Sequence, residues 1–201
     1  MIVSCLGYGY ISVYLLKEIS ANGAKCFGIT NNQEYLKNSK LENISVLPRN
    51  MASDAIERST HLVITAPPDK NNCPVLLKHK KNIINSNVRS IVYVSTTGVY
   101  GDHKGGWVDE KSLIKKTKNL YSKLRVDSEN DWITFCKKFS ICLNIVRLGA
   151  IYGPGKPKIE KNFFKNIVVK ENHFFSRIHV KDISEILYLS LINIKENQIF
   201  N

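Results

Sequence analysis

With 201 residues, 43% hydrophobic and 23% charged, the chain is long enough to bury one core and too apolar to be disordered. Its net charge of +12 favours anionic partners. The lysine runs KHKK (78–81) and KKTK (115–118) are short and lack interleaved stacking aromatics, which argues against nucleic acid and for a solvated basic surface.

In chain order, short apolar runs alternate with stretches of helical spacing. MIVSCL (1–6) reads as a buried strand and YISVYLLKEIS after it as a helix. AKCFGIT (24–30), ISVLP (44–48) and HLVITA (61–66) read as the second, third and fourth strands, the last ending at Pro67 and Pro68. Pro74 opens a helix at a first-turn position, where its missing N–H costs nothing. SIVYVS (90–95), rich in β-branched and aromatic residues, is a fifth strand. A long polar loop leads to a helix from about Leu120 to Lys138, then a strand over 143–148 and an amphipathic helix over 181–193. Alternating strands and helices predict a Rossmann-like α/β fold, a doubly wound parallel sheet with right-handed crossovers, built as a single domain over 1–201.

Five cysteines include no CxxC pair, and Cys5, Cys26 and Cys142 lie in apolar runs, as small core residues do. With no basic leader and no apolar run long enough to span a bilayer, a cytoplasmic protein without a membrane partner is expected. Histidines and cysteines show no metal-ligand spacing, and neither a GxSxG nor a P-loop pattern occurs.

GYGYIS (Gly7 to Ser12) falls between the first strand and the first helix, where a dinucleotide site belongs. Gly7 permits the tight turn, and Gly9 lets backbone approach a pyrophosphate at the helix N-terminus. Tyr8, Tyr10 and Ile11 share that turn, and Ala66 with Pro67 closes the fourth strand beside it. Ser12 replaces the third glycine. At the end of the second strand stand Thr30, Asn31 and Asn32, with no acid until Glu34. A carboxylate that would repel a 2′-phosphate is absent, and Lys37 or Lys40 could approach one. NADP is thereby favoured over NAD, although no arginine stands at the strand end.

The fifth strand runs into VSTTGVYGD (94–102), and Tyr121 follows Thr96 by 25 residues in a helix that also carries SK and Glu129. These residues, with IVRLGAIYGPG (145–155) and RIHVKDIS (177–184), resemble the short-chain dehydrogenase/reductase superfamily in its extended branch of NAD-dependent epimerases and dehydratases. The match touches nearly the whole chain. GYGYIS, APPDKNNCPVL, GVYGDHKGGWVDE, RVDSE and RIHVKDI are more closely similar to an atypical, sugar epimerase-like subgroup of that branch.

The resemblance implies catalytic roles for Thr96, Tyr121 and Arg125: Thr96 orients a substrate hydroxyl or carbonyl, and Tyr121 moves its proton. In the family a lysine four residues on holds the ribose and lowers the tyrosine pKa, since a free phenol near 10 is too weak a base at neutral pH. Here that position is Arg125, which keeps the positive charge and donors but is a poor proton relay. Two plainer readings stand beside these: Thr96 as a cap for the following turn, and Tyr121 as a helix-start surface tyrosine. Family dehydratases place Asp-Glu after the threonine; this chain has Thr97 and Gly98, which points to reduction or epimerisation. His103, Asp109 and Glu110 read as solvated loop residues, His179 as structural and Asp182 as a helix-start acid. Members of the family continue past the point where this chain ends in QIFN, so the substrate lobe is expected to be largely missing, with 151–201 as its remnant.

Two functions follow as expectations. One is an NAD(P)-dependent oxidoreductase or epimerase-like enzyme acting on a small, sugar-derived substrate. The alternative is a non-catalytic or degenerate NAD(P)-binding member of the same family. A homodimer is compatible with either.

Overall fold

A run of buried apolar strands needs cover on both faces, and the chain supplies it with helices on each side of one sheet. The computed structural model describes residues 1–37, 42–70, 72–156, 176–193 and 196–201. Seven strands, β1 (Ile2–Leu6), β2 (Lys25–Thr30), β3 (Ile44–Pro48), β4 (His61–Ile64), β5 (Ser90–Thr96), β6 (Cys142–Leu148) and β9 (Gln198–Phe200), form a sheet in the order β3-β2-β1-β4-β5-β6-β9. Every pairing in it is parallel. A separate two-stranded ribbon joins β7 (Ala150–Tyr152) to β8 (Arg177–His179). The order reverses between β1 and β4, and the crevice at the carboxyl ends of those strands is where such sheets bind ligands.

The helices are α1 (Tyr10–Ala21), α2 (Gln33–Lys37), α3 (Ala52–Glu57), α4 (Pro74–Ile84), α5 (Leu120–Phe139) and α6 (Val180–Ile192). Leu15, Leu16 and Ile19 of α1 pack with Ile183, Leu187 and Leu191 of α6 on one face of the sheet. Ile56 of α3, Ile83 of α4 and Trp132 of α5 cover the other. The expected strands and long helices all form, within a residue or two of their expected limits. The short helices α2 and α3, the ribbon β7–β8 and the last strand were not legible, because each is too short to show a period. Cys5 and Cys26 are core residues as expected, but Cys142 is only half-buried, whereas Cys73 and Cys136 are buried. Among the described residues no helix is long and apolar enough to cross a membrane.

One buried polar group ties this fold to pH. His61 opens β4 with 6% exposure, its Nδ1 lying 2.7 Å from the Thr60 hydroxyl. Burial, with the charges of Arg89 and the N-terminus adding to it, pushes the ring down from 6.5 to about 4. Above 6.5 the ring is neutral in both the folded and the unfolded chain; below that the unfolded chain takes the proton first. Stability is therefore expected to fall as the pH drops from about 6.5 towards 4, by roughly 1–2 kcal/mol once solvent screening is allowed for. Urea midpoints across that range measure it. The slope should flatten in His61→Gln, and equal slopes in the two proteins would defeat the assignment.

Candidate functional site

The turn after β1 is built around Gly7. Its φ is +109°, and a Cβ there would lie 2.4 Å from the Ala66 backbone nitrogen. The Gly7 and Tyr8 N–H groups both donate to the Ile29 carbonyl, at 3.1 and 2.7 Å. The protein itself thus requires this glycine. Gly9 is different: its φ of −158° is ordinary extended backbone, and an added Cβ would meet only the Gly7 oxygen, at 3.6 Å. Packing leaves that space open. Gly9 also begins α1, whose N-terminus has no side-chain cap, so its first-turn N–H groups and positive dipole end are available to an anion.

Ser12 occupies the third glycine position with its hydroxyl satisfied. That buried group accepts from the Cys5 thiol at 3.1 Å and meets the Thr65 hydroxyl at 3.2 Å. Tyr8 packs over β2, where a Cβ on Gly28 would lie 2.5 Å from the Tyr8 ring, and it meets Tyr35 edge-on. The Tyr10 hydroxyl leaves the turn to donate to the Pro154 carbonyl at 3.1 Å, and Ile11 packs against the α1–α6 side of the core. Gly7, Tyr8, Asn31, Ala66 and Pro67 line one groove of about 230 Å³. Tyr10 and Ile11 do not line it with their side chains and can serve it only through backbone.

The second half of the site lies further along the strand ends. Thr96 closes β5, and its hydroxyl accepts from the Gly98 N–H at 3.2 Å. The capping reading of this residue is therefore realised, on a side chain that also faces a groove. Asn119 caps α5 by accepting from the Ser122 N–H at 3.2 Å, which sets Tyr121 in the first turn, 78% exposed. Arg125, one turn on, donates from Nη1 to the Val94 carbonyl at 2.8 Å and to the Tyr93 hydroxyl at 3.3 Å. Its Nε and Nη2 have no protein partner among the described residues. Thr96, Tyr121 and Arg125 line a groove of about 340 Å³ together with Pro67, Pro68, Gly98, Asn119 and Ser122. Pro67 belongs to both grooves, so they meet there.

Beneath the second groove is an ion pair that sequence reasoning missed. Arg147 of β6 and Glu129 of α5 are 3% and 2% exposed and join through two hydrogen bonds, of 2.7 and 3.2 Å. The Ser95 hydroxyl donates to the same carboxylate at 2.5 Å. Arg147 Nη1 donates to the Tyr100 hydroxyl at 2.8 Å, and that hydroxyl donates in turn to Asn201 Oδ1 at 2.7 Å. The signal was present in LNIVRL: a charge in the middle of an apolar strand must find a partner. Glu110, expected in solvent, accepts from the Asn201 N–H at 2.8 Å. His103 meets the Leu113 carbonyl at 3.1 Å, and Asp109 accepts from Ser112 within its own loop. His179 caps α6, accepting from the Lys181 N–H at 3.4 Å, and Asp182 sits in its first turn.

A model of the NAD dependent epimerase/dehydratase family matches residues 7–201. The chain belongs to this family. No curated protein matches it. Among solved structures, a functionally unknown conserved protein from Silicibacter pomeroyi DSS is 29% identical with a TM-score of 0.87, over 100% of this chain and 70% of that one. The UDP-N-acetylglucosamine 4-epimerase of Methanobrevibacter ruminantium, in complex with UDP-N-acetylmuramic acid, is 17% identical with a TM-score of 0.81, over 98% and 74%. The UDP-glucose 4-epimerase of Thermus thermophilus, in complex with NAD, is 18% identical with a TM-score of 0.73, over 100% and 77%. At these last two identities the likeness is one of fold. The epimerase/dehydratase fold explains why both grooves open at the carboxyl edge of the sheet.

Proposed function

We propose that the protein is an NAD(P)-dependent oxidoreductase or epimerase-like enzyme acting on a hydroxyl or carbonyl of a small, sugar-derived substrate. The observation that carries this reading is the meeting of the two grooves at Pro67. It sets the glycine turn of a dinucleotide site end to end with Thr96, Tyr121 and Arg125. The residues present fit a dinucleotide, because Gly9 leaves a space that no protein atom needs.

In this reading Gly7, Tyr8 and Gly9, with the N–H groups of Tyr10 and Ile11, seat the pyrophosphate. Asn31 meets the adenosine ribose, while Ala66 and Pro67 form the wall between the halves. A bound nicotinamide would supply hydride transfer. The Thr96 hydroxyl, held by the Gly98 N–H, orients the reacting oxygen, and the Tyr121 phenol gives or takes its proton. Arg125, anchored to β5 through one nitrogen, keeps a fixed positive charge one turn from Tyr121 and offers its remaining donors to a ribose. Residues 1–201 act as one nucleotide-binding unit. The complex of the Methanobrevibacter enzyme makes nucleotide sugars the first substrates to screen.

The tie of Arg125 to the Val94 carbonyl favours a second reading, in which the chain binds NAD(P) without turning over a substrate. Titration of the protein with NADPH and NADH by calorimetry tests what both readings share. Saturable binding is expected, with Gly9→Glu losing it at near-normal stability because that position is not packed. Gly7→Ala, by contrast, should cost several kcal/mol of stability, as a Cβ would meet backbone at a positive φ. Absence of binding by either nucleotide would overturn the enzyme and the binding reading together.

A further inference from the structure

The first groove is basic in a way the sequence does not show. Asn31, Arg49, Lys78 and His79 line it, and among the described residues no carboxylate does. The parallel register sets Thr30 of β2 beside Pro48 of β3. Asn31 and Arg49 therefore leave neighbouring strands side by side, at a ladder spacing of about 4.8 Å. Lys78 and His79 face them from α4. Among the described residues neither Arg49 nor Lys78 takes part in an ion pair. The His79 ring is pushed below its ordinary value by burial first and then by the charge of Lys78, with Arg49 adding to it, so the ring is neutral at neutral pH and the positive charges lining the groove are those of Arg49 and Lys78. Like charges gathered without a counter-ion are favourable only towards an anion.

In a dinucleotide site the end of the second strand is where the adenosine ribose is met. An acid there takes the 2′-hydroxyl, and an arginine nearby accommodates a 2′-phosphate. Lys37, expected to approach that phosphate, lies in α2 and does not line the groove; Lys40 lies outside the described residues.

We propose that Arg49 and Lys78, with His79 beside them, bind the 2′-phosphate of NADP, and that the protein thereby prefers NADP(H) to NAD(H). Arg49 grips the phosphate through its planar fork, and Lys78 adds a point charge from the opposite wall. This rests on the dinucleotide reading of the groove but requires more of it.

The test uses two ligand pairs at fixed ionic strength, NADPH against NADH and adenosine 2′,5′-bisphosphate against 5′-AMP, titrated into the wild-type protein, Arg49→Glu and Lys78→Ala. Arg49 and Lys78 are both exposed, so neither substitution disturbs the core. The 2′-phosphorylated ligand of each pair should bind about tenfold tighter or better to the wild type. Arg49→Glu should abolish that preference through lost affinity for the 2′-phosphorylated ligands, with NADH affinity kept or raised because an acid there can take the 2′-hydroxyl, and Lys78→Ala should reduce it. Equal wild-type affinities within each pair, or a preference that survives both substitutions, would overturn the proposal and leave dinucleotide binding standing. Binding of no nucleotide at all would overturn both.

Discussion

Glu129→Ala is expected to cost about 3–5 kcal/mol of folding stability, a large share of what holds a domain of this size together. The carboxylate is buried and receives three donors, two from Arg147 and one from Ser95. Its removal strands the Arg147 guanidinium in the interior, where among the described residues the Tyr100 hydroxyl is its one remaining hydrogen-bond partner. The cost lies in the uncompensated charge rather than in the strength of the pair. A double variant, Glu129→Leu with Arg147→Met, should therefore recover much of the loss despite lacking both groups. Urea denaturation of the single and double variants decides the matter. A double variant as unstable as Glu129→Ala would mean that shape, not charge, sets the cost. The pair also bears on the site: Ser95 immediately precedes Thr96, and Glu129 lies two turns beyond Tyr121 on the face of α5 that carries Arg125. Through it α5 is held against β5 and β6, with Tyr121 beside Thr96.

Tyr121→Phe is expected to lower turnover about 10²- to 10⁴-fold on whichever compound proves to be a substrate, the range for removal of a positioned acid–base group. Nucleotide affinity should stay within about twofold, because the phenol lines the second groove and not the first. This split separates a catalytic group from a surface tyrosine. Tyr121 is exposed and starts a helix whose cap is supplied by Asn119, so the fold does not depend on its hydroxyl. Full turnover in Tyr121→Phe would remove the acid–base role. A wild-type protein that binds nucleotide but transforms no substrate would favour the non-catalytic reading, with Arg125 held as a structural strut by the Val94 carbonyl.

Tyr121 and Glu129 differ in how far the chain alone leads to them. Tyr121 was reached through the family resemblance, which expects a tyrosine at about this distance after Thr96, and only its place at a helix start was legible in the chain itself. The Glu129–Arg147 pair was legible only in part. A charge in LNIVRL announces that a partner exists, but which of 17 acidic residues supplies it depends on how α5 lies over β6. The same limit applies to KHKK. By composition it is a solvated surface run; in the fold, Lys78 and His79 line the first groove and His79 is only half-exposed.

Local periods and turn chemistry were enough for the alternation of strands and helices and the glycine turn after the first strand, while the pairing of Thr96 with Tyr121 came from the family resemblance. The chain carries these signals however it is packed. Long-range packing had to settle the rest: that Gly7 is demanded by the Ala66 backbone while Gly9 is not, that Glu129 belongs to Arg147, and that an arginine does stand beside the end of the second strand. That strand ends without one of its own, but β3 runs parallel to it in a register that delivers Arg49 beside Asn31. Register is fixed by which apolar faces are buried together across the whole sheet, a property of no single stretch of chain.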